Sequence, residues 1–312
     1  MISLSDIKNA AERIAPYIRQ TPLLQATCVS KKITEAELWL KLECLQPTGS
    51  FKVRGATNCL LTTPDTEIQR GIVTASGGNH GLAVARAASM AGVPATIFVP
   101  RTTSEAKLIK LAAWGATVKV EGSVWDEANN SALAFAAEHQ CAYFHPFANP
   151  AVMAGQGTLA LEILNELPDL DVILVAIGGG GLISGIASAL KALKPAVRII
   201  GIEPEGAPTL YASLQAGQVV TLPEITTAVA TMACGRTDQS IFDVVRQSVD
   251  EIVLVSDQEM LEAARWLWFE TGLAADLSGA AAAAALRAGK VRQQPGIKAC
   301  ALVCGSGQEG IG

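Results

Sequence analysis

Three short segments of this chain combine residue types that can do chemistry. The first runs Gln46-Pro47-Thr48-Gly49-Ser50-Phe51-Lys52-Val53-Arg54-Gly55. Lys52 follows a predicted strand over 38–43 and is flanked by small residues and one aromatic ring. That setting favours desolvation, and desolvation favours the neutral amine, which is the nucleophilic form. Taken alone, the segment also suits an ordinary loop lysine beside a turn. The second segment is Ser76-Gly77-Gly78-Asn79-His80-Gly81. The Ser76 side chain and the backbone N–H groups through His80 form a nest suited to a carboxylate. Asn79 can donate from its side-chain amide or cap the helix predicted to follow. His80 reads as a structural histidine at a helix start. The third segment, Gly178-Gly179-Gly180-Gly181-Leu182, follows the apolar run 173–177 and precedes a helical pattern. Glycines let backbone N–H groups approach a phosphate, and a helix N-terminus adds a favourable dipole. A dinucleotide fingerprint fails here, because Ile183 stands where GxGxxG requires its third glycine. A tight strand-to-helix turn is one remaining reading; a cup for a single phosphate is the better one.

In this order and at these intervals, the segments resemble the fold-type II pyridoxal-phosphate (PLP) enzymes, specifically the serine/threonine dehydratase and serine racemase family. The resemblance runs from Thr21-Pro22-Leu23 to Cys304-Gly305-Ser306-Gly307. It implies that Lys52 carries PLP as an internal aldimine and that Phe51 helps pack the ring. Asn79 would donate to the phenolic O3′ of the cofactor. Gly178, Gly179, Gly180, Gly181 and Leu182 would bind its phosphate. Ser76, Gly77, Gly78, Asn79 and His80 would hold the substrate's α-carboxylate. Cys304 would face the pyridine nitrogen, with Ser306 as the competing candidate. A neutral thiol cannot hold a pyridinium charge as a carboxylate would, so the electron sink is weaker and elimination is favoured over transamination. Glu203, Ala207 and Thr209 match a cation site of the family. Thr209 in place of an aspartate favours potassium over magnesium. The alternative is an exposed loop at 203–206 without a metal.

The implied reaction is α,β-elimination from a β-hydroxy-α-amino acid such as L-threonine or L-serine, giving a 2-oxo acid and ammonia. Three positions depart from the family. Gly77 stands where serine racemases carry a second serine as acid/base on the face opposite the lysine, which points to a lyase with one base. Ala233-Cys234-Gly235 replaces a common Ala-Asp-Gly, and Asp276-Leu277-Ser278-Gly279 replaces Glu-Pro-Ser-Gly. These two leave open another β-substituted substrate, such as 3-hydroxyaspartate or phenylserine, beside serine racemisation. Readings outside the family are a nicotinamide oxidoreductase and a silent ligand-binding relative. The failed fingerprint weighs against the first, and the intact Lys52, Asn79 and glycine loop against the second.

The scaffold expected to carry these segments is α/β. After a first helix capped by Ser5 and reaching Ile18, strands are predicted over 38–43, 71–75, 95–99, 117–121, 172–177, 197–202, 251–255 and 299–303. Helical patterns lie over 79–91, 104–114, 124–138, 152–167, 182–192, 257–269 and 278–288. Such alternation implies open, mainly parallel twisted sheets with helices on both faces. The resemblance adds a division: a large PLP-binding domain from 1–65 and 148–312, and a small mobile domain at 66–147. It also suggests a homodimer. A net charge of −5 without a basic cluster argues against nucleic acid. No signal peptide or membrane span is expected. Cys28, Cys44, Cys59, Cys141, Cys234, Cys300 and Cys304 are an odd count without a CxxC pair, and read as reduced thiols of a cytoplasmic protein.

Overall fold

The computed structural model describes residues 2–27, 29–101, 103 and 105–311. Cys28 and the expected helix start at Ser104 lie outside the described residues. Ten strands form among those described: β1 (Leu23–Gln25), β2 (Glu37–Lys41), β3 (Ile72–Ala75), β4 (Ala95–Val99), β5 (Thr117–Val120), β6 (Ala142–Tyr143), β7 (Val172–Ala176), β8 (Arg198–Pro204), β9 (Glu251–Val255) and β10 (Lys298–Leu302). The α-helices are α1 (Leu4–Ile14), α2 (Lys52–Thr62), α3 (Asp65–Ile68), α4 (Asn79–Ala91), α5 (Glu105–Ala113), α6 (Trp125–His139), α7 (Pro150–Glu166), α8 (Gly181–Leu193), α9 (Thr209–Ala216), α10 (Gln239–Ser248), α11 (Asp257–Thr271) and α12 (Leu277–Arg287).

The strands make two sheets. One has six strands in the order β1-β2-β10-β7-β8-β9, and the other four in the order β5-β4-β3-β6. All pairings are parallel except β1 with β2 at one edge. The expected fold class therefore stands. Parallel strands need covered faces, and their sequences say so: every residue of β3 and β7 is buried. On the six-stranded sheet, α12 buries its whole alanine run, Ala280 to Ala285. Small side chains let that helix lie close to the sheet. In the four-stranded sheet, Phe98 and Val73 pack on Ala128, Ala132 and Ala136 of α6, while Ile72 and Ile97 face the other way, toward α4 and α2.

Several boundaries differ from the sequence reading. Ser3, not Ser5, caps α1: its hydroxyl accepts from Asp6 N (3.2 Å), and the Asp6 carboxylate accepts from Ser3 N (2.8 Å). The helix stops at Ile14, short of Ile18, because Pro16 supplies no N–H to continue the ladder. Two short strands, β1 and β6, and four helices, α2, α3, α9 and α10, went unpredicted. The miss at α2 has a physical cause. Its buried residues include Arg54, Thr57 and Asn58, so the helix has no apolar stripe to read.

Chain order and parallel pairing place the loops that follow β2, β3, β7 and β10 at the carboxyl ends of their strands. Those loops contain the three segments singled out above, together with Cys304. Ligands of open α/β sheets bind at such strand ends.

Candidate active site

Lys52 opens α2. Just before it, Ser50 bridges Gly305 and the Phe51 N–H donates to Cys304 O at 3.1 Å, so the lysine is tied to the chain leaving β10. Its Nζ donates to Pro146 O at 2.7 Å and lies 5.2 Å from the centroid of the Phe51 ring. Burial pushes the amine down to about 8, while the nearby thiols of Cys304 and Cys234 act in the opposite direction. The neutral, nucleophilic fraction at neutral pH is therefore much larger than for a solvated lysine. Two residues on, the fully buried Arg54 anchors the helix. It donates to both oxygens of Glu43 (2.8 and 2.8 Å) and both of Glu162 (2.6 and 2.9 Å). Removing one partner from such a buried set typically costs about 3–5 kcal/mol.

The loop after β7 presents its backbone. Gly180 takes φ +92°, and a Cβ there would meet Ile241 at 2.5 Å; one at Gly179 would strike the Phe147 ring at 2.2 Å. Among the described residues, no acceptor is bonded to the N–H groups from Gly178 to Leu182, and the first helical bond runs from Ser184 N to Gly180 O. Orphaned amides at a helix N-terminus suit a phosphate.

The loop after β3 presents side chains. Ser76 N is used by Phe98 O (3.1 Å), and Ser76 Oγ accepts from Gly78 N at 3.3 Å. Gly78 is the N-cap of α4 and makes no side-chain cap, so Asn79 does not cap the helix. Its amide instead donates through Nδ2 to Asp276 Oδ2 at 2.9 Å. His80 is buried, with Nε2 at 3.1 Å from Phe144 O, and burial pushes it down to about 3. A neutral histidine held this way is structural. Gly77 lies against Thr103, whose Cγ2 and Oγ1 would each be 2.8 Å from a Cβ at that position.

Cys304 lies two residues beyond the end of β10 and is buried, its Sγ 3.4 Å from Ser278 O. Burial and the Asp276 carboxylate push its thiol well up, which keeps it neutral. Ser306 is pinned elsewhere, its N–H donating to Gly49 O at 2.8 Å.

The loop reading of Glu203 needs correction. Glu203 is fully buried in β8, and its two carboxylate oxygens accept from Leu210 N and Tyr211 N, both at 2.8 Å, at the start of α9. Burial pushes the carboxyl up to about 7, against the pull of those bonds. No basic side chain pairs with it among the described residues. Ala207 O accepts from Thr209 N at 3.0 Å, and the Thr209 hydroxyl donates to Cys234 O.

Comparison with known proteins shows the family. A family model described as pyridoxal-phosphate dependent enzyme matches residues 14–305. An L-threonine ammonia-lyase of Thermotoga maritima is 40% identical over 286 residues, covering 92% of this chain and 71% of the relative. A serine racemase of Oryza sativa is 38% identical over 291 residues, covering 93% of this chain and 85% of the relative. The solved structure of maize serine racemase matches with a TM-score of 0.93 at 33% identity, covering 98% of this chain and 93% of that one. The chain belongs to the pyridoxal-phosphate-dependent enzymes, and its fold is that of fold-type II.

The residues present suit the cofactor: a depressed lysine amine, a cradle of free amides and a side-chain amide donor. Sequence reasoning missed three neighbours of the site. Pro146 accepts from Lys52, Phe147 packs on the glycine loop, and His145 Nδ1 accepts from Phe147 N and Ala148 N (3.2 and 2.9 Å), fixing that turn. His-Pro-Phe at 145–147 was the available signal, in a chain with only three histidines.

Proposed function

We propose that this protein is an ammonia-lyase that eliminates the β-hydroxyl of a β-hydroxy-α-amino acid such as L-threonine or L-serine. The net products are a 2-oxo acid and ammonia; the water lost in elimination is regained in hydrolysis. Bound PLP supplies the electron sink. The chain's residues do the rest. The amides of Gly178 to Leu182 hold the phosphate, and Asn79 holds O3′. The nest from Ser76 to His80 orients the α-carboxylate. Lys52 carries the cofactor and, once released, takes the proton from the substrate's Cα. Cys304, a buried neutral thiol, would stand at the ring nitrogen and would leave the sink weak, which favours loss of a β-substituent over amino transfer.

The observation that carries the reading is Gly77. The face opposite Lys52 has no hydroxyl on this residue, and Thr103 fills the space a side chain would take. Residue 77 supplies no second base for racemisation, whereas elimination needs only Lys52. The departures at Cys234 and Asp276 favour keeping other β-substituted amino acids, 3-hydroxyaspartate and phenylserine, as the second reading. Cys234 is the more relevant to substrate: it is partly exposed and near enough to Lys52 to affect its amine. The decisive experiment is a panel of these amino acids scored for 2-oxo acid release and, by chiral chromatography, for the D-enantiomer. Oxo acid from threonine or serine with little D-product supports the reading; equal D-product sinks it.

The two sheets support a division into a small domain at 66–147 and a large one from 1–65 and 148–312, with closure over substrate. The core of the small sheet also takes in Val53, Ala56 and Leu60 of α2, so α2 is the element on which closure would turn. Glu203, Ala207 and Thr209 form a monovalent-cation site in this reading. Its support is a buried carboxylate opposed only by helix amides. Activity should rise when potassium replaces a bulky organic cation, and equal rates would remove the site. A cytoplasmic homodimer completes the picture. Unpaired cysteines among the described residues suit a reducing compartment, and no described helix is long and apolar enough to cross a membrane.

A further inference from the structure

Asp276 is a buried carboxylate, 8% exposed, with no chemical step assigned to it so far. It stands at the N-terminus of α12. Its Oδ1 accepts from Ser278 Oγ at 2.7 Å and from Gly279 N at 2.6 Å, which is the work of an ordinary N-cap. A cap uses one oxygen. The other, Oδ2, turns away from the helix and accepts from Asn79 Nδ2 at 2.9 Å. That bond crosses from the six-stranded sheet's layer to α4, on the four-stranded sheet. The backbone leaves room for the meeting: a Cβ on Gly305 would lie 2.5 Å from Asp276 Oδ2 and 2.9 Å from Asn79 Nδ2. Gly305 O in turn accepts from Asp276 N at 3.0 Å. Ser278, held by the same carboxylate, offers its carbonyl to Cys304 Sγ. One side chain therefore holds groups at two assigned cofactor contacts.

We propose that Asp276 is a positioning residue whose carboxylate fixes the orientation of the Asn79 amide and latches α4 to the α12 side of the cleft. The inference rests on the reading of Asn79 as donor to the cofactor's O3′. An amide's two ends are alike in shape and opposite in hydrogen-bonding sense. Burial pushes the Asp276 carboxyl up, but the three groups bonded to it all donate to it; a carboxylate so held only accepts, so Asn79 must turn its nitrogen toward Asp276. One Nδ2 hydrogen is used there, and the second remains available to an acidic oxygen on the cofactor. A flipped amide would set its own oxygen against that anion. The latch also explains why this loop works with side chains although they belong to a different sheet from Lys52.

The test is cofactor affinity, measured by titrating the cofactor-free full chain with PLP. The variants are Asp276→Asn, Asn79→Ala and the double variant. Asn caps a helix as well as Asp does, so Asp276→Asn spares α12 while giving Asn79 a neighbour that donates as well as accepts. Affinity should fall about 10- to 100-fold, the range for a hydrogen bond to a charged group. In the Asn79→Ala background the same change should add less than about threefold, because the two act as one unit. Independent, multiplying effects would overturn the latch, as would full affinity in Asp276→Asn. If Asn79→Ala alone leaves affinity unchanged, the O3′ reading falls and the proposal with it; if Asn79→Ala weakens binding but the effects multiply, only the proposal falls. A second readout needs no cofactor. Backbone amide exchange at the start of α4 should quicken several-fold in Asp276→Asn, and unchanged exchange would count against the latch. Should that variant fail to fold, Asp276→Ser retains a cap and lacks the second oxygen, and the same outcomes apply.

Discussion

The loop after β7 and the loop after β3 share a plan: a fully buried parallel strand, a run of glycines, and a helix that starts without a side-chain cap. They use it in different ways. In the first, packing demands the glycines. Gly179 lies on the Phe147 ring, and Gly180 combines a left-handed φ with contact to Ile241. What the loop offers is amide N–H groups fixed by backbone geometry. In the second the demand is uneven: a Cβ on Gly77 would lie 2.8 Å from Thr103 and one on Gly81 2.0 Å from Ser76 O, whereas one on Gly78 would meet only Thr231 Cγ2, at 3.3 Å, at the end of a side chain that can give by a few tenths of an ångström. What that loop offers is Ser76 and Asn79, and Asn79 is oriented from 197 residues away by Asp276. A backbone site is encoded where it stands. A side-chain site is completed by distant partners, and so is easier to retune and harder to read.

Lys52 lies between these loops, and its removal should have the largest effect. Lys52→Ala should lower turnover by at least about 10³-fold, since a positioned base alone is worth ~10²–10⁴ and the covalent anchor goes with it. PLP should still bind through the glycine loop, more weakly. Borohydride reduction of the unaltered protein, followed by peptide mapping, should find the pyridoxyl group on Lys52. Label on Lys41 or Lys107 would break the scheme.

A direct test of the comparison sets Gly180→Ala against Gly78→Ala. The first forces a left-handed φ on alanine, costing roughly 1–3 kcal/mol, and overpacks Ile241, costing roughly 1–3 kcal/mol more. Urea denaturation should show that loss, and PLP affinity should fall with it. Gly78→Ala, with an ordinary φ and one tight contact to the end of a side chain, should cost clearly less, about 1 kcal/mol, and instead raise KM for the amino acid. Equal destabilisation in both would erase the distinction. Gly179→Asp is a poor probe of the phosphate, because its Cβ points into the Phe147 ring.

The amine of Lys52 gives a smaller, graded effect. Burial lowers it to about 8. Only the neutral amine attacks the cofactor's aldehyde, so the protonated fraction must fall before capture speeds up. The rate at which the cofactor-free chain takes up PLP should rise about tenfold per pH unit below 8 and level off above it. Stopped-flow absorbance would follow it. A profile still rising tenfold per unit beyond pH 10 would mean the lysine is solvated.

The same contrast explains what the sequence showed. The helix limits 79–91 and the strand limits 95–99 and 251–255 were legible to the residue, because strong patterns lie between glycine, proline or charged stops. The glycine loop was legible for the same local reason. Asp276 was noticed only as a departure, and its bond to Asn79 could not be seen, since a contact over that separation leaves no periodic trace. The burial of Glu203 was missed because the Pro204-Glu205-Gly206 that follows looks like surface; the carboxylate's partners are amides of α9, a helix that itself went unpredicted. Arg54 and Glu43 were hidden likewise: nothing local marks two charges eleven residues apart as a buried pair.

The smallest expected effect concerns the face opposite Lys52. In the unaltered chain, D-serine should form at a trace rate beside 2-oxo acid, since the missing acid/base is typically worth ~10²–10⁴-fold. Restoring it with Gly77→Ser alone should help little. The new Cβ would lie 2.8 Å from both Thr103 Cγ2 and Thr103 Oγ1, so either the loop or Thr103 must shift and elimination should slow. Thr103→Ala removes both atoms and leaves the Thr103 Cβ 3.4 Å from the new Cβ, an ordinary contact. The pair Gly77→Ser with Thr103→Ala should therefore form more D-serine than either single variant. If the unaltered chain already forms D-serine as fast as oxo acid, a group other than residue 77 serves that face. The Thr103 hydroxyl lies at the position, and Thr103→Val, which keeps the shape and removes the oxygen, would then abolish D-serine formation while sparing elimination.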